Sequence, residues 1–500
     1  MRRKIEKRLE DAAPSADRGE PMMSGARARY EVAARTEATI HGGIGLAHRV
    51  ARRSGLVAAI DKWVSVLKIH CPYYESDHVL NIAFNAMCGA RTLDEIELRR
   101  NDVAFLNAVQ TEAIPDPTTA GDFCRRFEEG DIHHLMAAID EARLKVWAQQ
   151  GGELTSQTAV IEADGSLVGT TGECKQGMAL SYKGVWGYHP LVVTLANTGE
   201  VLYLANRSGN RPSHEGAAAY FDRAVALCRR GGFEEVLLRG DTDFSLTANF
   251  DRWDDDGVRF VFGYDANATM RGYAEDERAL HEDGYRELER RAKEAFSAKK
   301  RRARQPRVKE QLVRDGGYKN IRLKSEDVTE FVYKPKSCTR EYRFVVVRKN
   351  LSVERGEHVL FPDIRYFFYV TNDDDMPAEQ VVKNANQRCN QENLLAQLKG
   401  GVRALHAPVN TLNANWAYMV MASLAWTLKA WMALSLPISP RWRAKHRAER
   451  DAWLRMEFRT FLHAVINIPA QVVLTGRRLV IRLLAYRPEL HVLMRLAAGT

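Results

Sequence analysis

The sequence predicts an α/β protein, a mixed sheet flanked by helices and preceded by a helical N-terminal region. Three observations carry that prediction. Apolar residues over 31–150 recur at helical spacing, as in HVLNIAFNAMCGA and EARLKVWAQQ; from 156 the period shortens to that of strands; strand-like runs then alternate with helical ones. A chain of 500 residues exceeds one ordinary domain, and 45% hydrophobic content is ample for a sizeable core.

Residues 1–30 carry charge without an apolar stretch, which predicts a mobile tail and not a secretory signal. Residues 31–150 read as a helical DNA-binding region. Within it IPDPTTAGDFCRRF sets an Asp and a Thr to cap a helix after a proline-broken turn. The same pattern fits a plain helical packing domain, since no sharp helix-turn-helix signature is present. His133 and His134 lack metal-ligand spacing and read as polar helix residues.

Residues 151–265 form the first part of the sheet domain. SQTAVIEADGS, YHPLVVTLAN, EVLYLAN, EEVLLRGD and RFVFGYD read as strands, with helical stretches at GAAAYFDRAVALCRR and SLTANFDRW. The aromatic cluster Trp186, Tyr188 and His189 in GVWGYHP reads as core packing on that sheet. A basic insertion follows at 266–345. Its run Lys299, Lys300, Arg301, Arg302, Arg304, Arg307 and Lys309 suits a phosphate backbone, without interleaved aromatics for base stacking.

Residues 346–436 complete the sheet domain with the strand IRYFFYVTN, the amphipathic helix NQRCNQENLLAQLKGG and the apolar stretch 416–436. That last stretch is long enough to cross a bilayer and is interrupted only by Lys429. As the lone apolar stretch in a chain that otherwise reads as soluble, it is expected to be a buried core helix, with no membrane partner. Residues 437–500 are left for DNA contact or dimerisation.

A net charge of +9 built from 73 basic and 64 acidic residues implies local basic surfaces, and nucleic acid is the natural partner. Seven cysteines, at 71, 88, 124, 174, 228, 338 and 389, are scattered singly. Such spacing speaks against a disulfide framework or a cysteine zinc site and fits a reducing cytoplasm.

Two aspartates end buried apolar runs: Asp164 after TAVIEA and Asp241 after EEVLLRG. At a sheet edge a carboxylate faces a ligand without the desolvation cost of the interior. Each also has a structural reading, Asp164-Gly165 as a turn and Asp241 beside Thr242 and Asp243 as a helix cap. In the helix at 386–401, Arg388, Glu392 and Lys399 fall within roughly 40° of one line, and Leu394, Leu395 and Leu398 are expected to bury the helix against a core. Asp164, Asp241 and Glu392 together make a hard-oxygen set suited to Mg²⁺, with Mn²⁺ as substitute, and two such ions serve phosphodiester chemistry. Arg388 and Lys399 would then hold phosphates. Glu162 and Asp243, each two residues from a chosen aspartate, are the nearest rival ligands.

These residues resemble the DDE transposases of bacterial insertion sequences that carry the Y-R-E-K signature. Arg388, Glu392 and Lys399 keep its register, and Ala385 stands at the tyrosine position, removing that residue's phosphate contact. IEADGS and RGDTDF match the family's two aspartate motifs, while SYKGVWGYHPLVV and LTGRRLVIRLL are similar to the insertion-sequence thirteen-eighty family in particular. The likeness spans roughly residues 79–485. It implies an RNase H-like core, a strand-rich insertion between the second aspartate and the glutamate, and catalysis by Asp164, Asp241 and Glu392. It also implies double-stranded DNA as substrate, both terminal inverted repeats and target, a homodimer in the synaptic complex, and a nucleoid-associated place in the bacterial cytoplasm. Two other readings stay open on the same residues: an inactive descendant acting as a DNA-binding repressor, and a nuclease without strand transfer.

Overall fold

The computed structural model describes residues 36–276, 327–350, 364–475 and 478–499. Residues 1–30 and the basic run with Lys299, Lys300, Arg301 and Arg302 lie outside the described residues.

Hydrophobic runs with strand periodicity become one eight-stranded mixed sheet. In chain order its strands are β1 (Ala159–Gly165), β2 (Leu191–Leu195), β3 (Glu200–Ala205), β4 (Val236–Gly240), β5 (Arg259–Tyr264), β6 (Asp327–Tyr333), β7 (Tyr342–Asn350) and β8 (Ile364–Thr371). In space they run β6-β7-β8-β5-β4-β1-β2-β3. β1, β4 and β5 are parallel, β1-β2-β3 is an antiparallel meander, and β5-β8-β7-β6 is antiparallel throughout. Parallel neighbours need crossovers, and helix Ala217–Arg230 supplies one between β3 and β4.

Alternation along the strands divides the apolar residues between two faces. Leu238, Phe260 and Phe262 join the main core, while Leu237, Val261, Val345 and Val347 face the other way and are covered by Val381 and Val382 of helix Ala378–Asn386. Burial on both faces explains why EEVLLRGD reads as a continuous apolar run and not as an alternating one.

The N-terminal region is helical. Helix Pro117–Arg125 starts where its sequence predicts, with the Asp116 carboxylate accepting from Thr119 N at 2.9 Å and Pro117 in the first turn. These helices gather around helix Leu412–Leu434, whose apolar window is wholly buried and which packs on β3 and on helices Ile44–Arg53, Glu75–Met87 and Glu129–Ala148. A helix apolar all round belongs inside a core, and that is its position here. The strand Glu37–Thr39 pairs with Ala470–Thr475, itself paired with Arg478–Leu483, so the two ends of the described chain share a small sheet.

Lys429 is the charged residue among the buried side chains of the central helix. Its buried ammonium donates to the Leu454 carbonyl at 2.8 Å and stands 4.0 Å from the Trp426 ring centroid. Burial pulls its pKa down to about 7. Between that value and the ordinary 10.5 the folded chain holds fewer protons at this site than the unfolded one, so stability rises with pH across the window and the penalty is fully present below it. Lys429→Met is expected to flatten that rise and to raise the urea midpoint at pH 7. Midpoints that keep climbing in the variant would place the titration elsewhere.

Candidate active site

Three elements meet at one corner of the sheet. β1 carries Asp164 one residue from its end, β4 delivers Asp241 just past its own, and helix Cys389–Ala396 holds Glu392 in its first turn. β1 and β4 are parallel neighbours, so their carboxyl ends open on the same side.

Arg388 ties the three acids together. Its Nη1 donates to Asp241 Oδ2 at 3.1 Å and lies 4.0 Å from Asp164 Oδ2, while Nη2 donates to Glu392 Oε1 at 3.3 Å. One cation among three carboxylates leaves the corner short of positive charge. Burial first, and then the neighbouring Asp241, push Asp164 up to about 7, with Arg388 pulling the other way. Burial also raises Asp241 above the usual carboxylate range, again against Arg388. Hard carboxylate oxygens in such a field fit Mg²⁺ or Mn²⁺. Among the described residues no three acids, imidazoles or thiols are grouped closely enough to hold an ion directly; here the guanidinium spaces the acids and stands where added positive charge is wanted.

Local structure explains how each side chain arrives. Asp241 heads the short turn Thr242–Phe244, its Oδ1 accepting from Asp243 N at 3.0 Å, and Phe244 anchors the turn in the core. β5 presses on that turn so closely that a Cβ at Gly263 would meet Thr242 N at 2.9 Å. Asp243, a rival ligand in the sequence, contributes its backbone amide to Asp241. Glu162, the other rival, is buried in a 2.6 Å ion pair with Arg239.

Arg239 does a second job. Its guanidinium donates to the Asn384 carbonyl at 2.9 Å and to Gln387 Oε1 at 3.3 Å, fixing the end of helix Ala378–Asn386 to β4. Four residues on, buried Gln391 donates to the Val192 carbonyl at 3.3 Å and accepts from Thr194 Oγ1, docking the Glu392 helix on β2. Arg388 and Glu392 lie between or beside these anchors. Sequence reading missed both. Arg239 had a signal, an arginine inside the apolar run VLLRG; Gln391 had none.

The helix expected over 386–401 is interrupted. Helix Ala378–Asn386 ends, Gln387 and Arg388 turn, Cys389–Ala396 resumes, and Gln397–Gly401 forms a wide π-turn. Arg388 and Glu392 keep their i,i+4 pairing, and Leu394, Leu395 and Leu398 are buried. Gln397 closes the π-turn by accepting from Phe458 N at 2.9 Å through its side chain. Lys399 on that turn stays within electrostatic reach of Asp164. Ala385, at the signature's tyrosine position, packs against the Leu237 and Val261 cluster.

Tyr188 and His189 are buried, as an aromatic cluster on a sheet should be, whereas Trp186 is exposed. His189 Nδ1 donates to the Arg211 carbonyl at 2.7 Å, and its Nε2 lies so close to Gly165 that a Cβ there would sit 2.7 Å away. Gly165 pairs with Leu191 inside β1 and is not in a turn, so glycine after Asp164 is favoured by close packing against His189.

A mixed α/β sheet with acids gathered at the carboxyl ends of parallel strands defines an α/β protein whose ligand site lies outside those strand ends. The chain belongs to the family described as transposase DDE domain, group 1, whose profile matches residues 36–499. Among solved structures it is similar to the piggyBac transposase of a cryo-EM synaptic complex with hairpin DNA. That likeness is 11% identical, covers 85% of this chain and 88% of that one, and has a TM-score of 0.34. No curated protein matches the sequence.

Proposed function

We propose that this transposase binds the terminal inverted repeats of its own insertion sequence, cuts the element ends by metal-dependent hydrolysis and joins the freed 3′-hydroxyls to target DNA. The single observation that carries the reading is the contact of one guanidinium, Arg388, with Asp164, Asp241 and Glu392. The order and direction of β1 to β5, an antiparallel meander followed by two strands parallel to β1, support an RNase H-like core. The register of Arg388, Glu392 and Lys399 supports the Y-R-E-K type and the insertion-sequence thirteen-eighty group within it.

In this reading Asp164, Asp241 and Glu392 hold two Mg²⁺ ions, or Mn²⁺ in their place. Bound there, such ions would supply a lowered pKa for the attacking water and stabilisation of the leaving oxygen. With ions held by the acids, the Arg388 fork and Lys399 would be free to take the phosphate of the strand being cut. Water adds to phosphorus and gives up a proton, the 3′ oxygen leaves and takes one, and the resulting 3′-hydroxyl attacks a target phosphodiester in the same site, losing its proton as the target strand's own 3′ oxygen leaves and is protonated. Lys299, Lys300, Arg301 and Arg302 are assigned to contact with the DNA backbone. Regions 31–150 and 437–500 are assigned to DNA grip and to pairing of two copies in the synaptic complex, which forms on the bacterial nucleoid.

Incubating the full chain with labelled end DNA, target DNA and Mg²⁺ or Mn²⁺ tests this. Metal-dependent nicking at the end followed by a joined product is expected. Nicking without joining would favour a nuclease, and specific binding with neither would favour an inactive descendant.

A further inference from the structure

Directly after Asp164 the chain leaves the large sheet and builds a second, three-stranded one from Val168–Gly169, Ala179–Leu180 and Trp186–Tyr188. The ladder of β1 and β2 runs on into it. Asp164 faces Val192, Ser166 N donates to the Pro190 carbonyl at 2.9 Å, Val168 faces Tyr188, and Thr170 N donates to the Trp186 carbonyl at 3.0 Å. From Asp164 to Thr170 is six residue steps, so at about 3.3 Å each Trp186 lies at most about 20 Å along the ladder from the carboxylate corner.

The base of this hairpin is fixed. The Tyr188 hydroxyl donates to the Gln176 carbonyl at 2.7 Å, Gln176 N donates to the Asn410 carbonyl at 2.8 Å, and Gly209 N donates to the Gly187 carbonyl at 3.0 Å. A Cβ on Gly187 would fall 2.0 Å from the Val168 carbonyl oxygen, so the two strands approach as only glycine permits. The tip closes through Ser181 N donating to the Val185 carbonyl at 2.8 Å and Val185 N donating to Ser181 Oγ at 3.0 Å, with Gly184 in the left-handed region.

Held this firmly, the hairpin nonetheless presents large apolar side chains to solvent. Leu180 is 57% exposed, Tyr182 80% and Trp186 47%. Leu180 and Trp186 are direct cross-strand partners and so share one face. Lys183 places its ammonium 5.3 Å from the Tyr182 ring centroid, and Lys399 lies within electrostatic reach of both Lys183 and Asp164. Positive charge therefore continues from the acidic corner to the aromatic tip.

Exposed rings bordered by lysines suit a nucleotide whose base offers a free π-face and whose phosphate meets the ammonium. Inside a duplex both faces of each base are covered by neighbours, so the ligand must be out of the stack. We propose that the hairpin 179–188 is a stacking site for an unpaired nucleotide of the strand cut at the carboxylate corner, with Trp186 and Tyr182 taking the base and Lys183 the phosphate. At 3.4 Å per stacked nucleotide the reach of about 20 Å puts that nucleotide within about six positions of the cut. The inference rests on the function proposed above.

The test uses the full chain and end DNA with a single-stranded overhang carrying 5-iodouracil at each of those positions in turn. Irradiation is expected to attach one of them to Trp186 or Tyr182, mapped by mass spectrometry. Trp186→Ala is expected to weaken binding of the overhang DNA by about 5- to 100-fold and leave blunt duplex unaffected, with Trp186→Phe restoring most of the loss. Adducts confined to other residues, or equal affinity in Trp186→Ala, would overturn the stacking site. So would a variant that changes only the sedimenting mass of the free protein, which would make the patch a contact between copies. Cleavage by the wild type is scored in the same reactions: cutting without the adduct defeats the stacking site alone, and the adduct without cutting defeats the catalytic reading alone.

Discussion

Asp241→Asn is expected to lower metal-dependent cleavage by about a thousandfold or more while the protein still folds and still binds end DNA. The substitution is nearly isosteric. Its amide oxygen can still accept from Asp243 N, which in the wild type stands 3.0 Å from Asp241 Oδ1, so the turn after β4 survives. What disappears is a negative charge in a corner already arranged around a cation. Asp164→Asn should behave alike, with one difference: burial and the adjacent Asp241 hold Asp164 near 7 in the absence of added cations, so its loss also relieves the tightest charge conflict in the site. Single-turnover cleavage of labelled end DNA, beside circular dichroism of each variant, makes the measurement. Cleavage retained in either one would remove that residue from the site.

Glu200→Ala is expected to cost about 3–5 kcal/mol of stability, the range seen when one partner of a buried ion pair is deleted. Glu200 is fully buried at the start of β3 and accepts from four donors: Arg143 Nε at 3.1 Å, Trp147 Nε1 at 2.9 Å, Thr198 Oγ1 at 2.7 Å and Trp431 Nε1 at 2.7 Å. Arg143, also buried, shares itself with Asp140 and donates to the Val201 carbonyl at 2.7 Å. The network joins helix Glu129–Ala148, the central helix Leu412–Leu434 and the edge of the large sheet, so its loss strikes where the N-terminal helices meet that sheet. Removing the acceptor leaves two indoles, the Thr198 hydroxyl and Arg143 Nε without their partner in a region closed to water, while Arg143 keeps Asp140 and the Val201 carbonyl. A urea midpoint in Glu200→Ala equal to that of the wild type would contradict this, and Glu200→Gln, which keeps an acceptor oxygen, should lose less.

Much of this architecture can be read in the residues. Each apolar run over 159–264 became the strand or helix its period predicts, because those segments are buried on faces that their own side-chain pattern determines. Asp164, Asp241, Arg388, Glu392 and Lys399 were legible for a different reason: strand ends and an i,i+4 helix pair place charges predictably. The interrupted helix was not legible. Its break at Gln387 and Arg388 and its π-turn at Gln397–Gly401 accompany contacts made by Arg239, Gln391 and Gln397 to chain segments far away in sequence, and no local propensity encodes those partners. The resemblance implied strands between the second aspartate and the glutamate, but not that β6 and β7 extend the large sheet, which they do only by pairing through β8. Trp186 stands apart from buried Tyr188 and His189 because a hairpin turns it outward, which a strand pattern alone does not reveal.

Manganese binding, counted by the loss of the free-ion electron paramagnetic resonance signal with the full chain on end DNA, tests the carboxylate corner most directly. Saturable binding by the wild type is expected, with most of it lost in the double variant Asp164→Asn, Asp241→Asn. Equal binding by the double variant would contradict a metal-dependent site built from these acids.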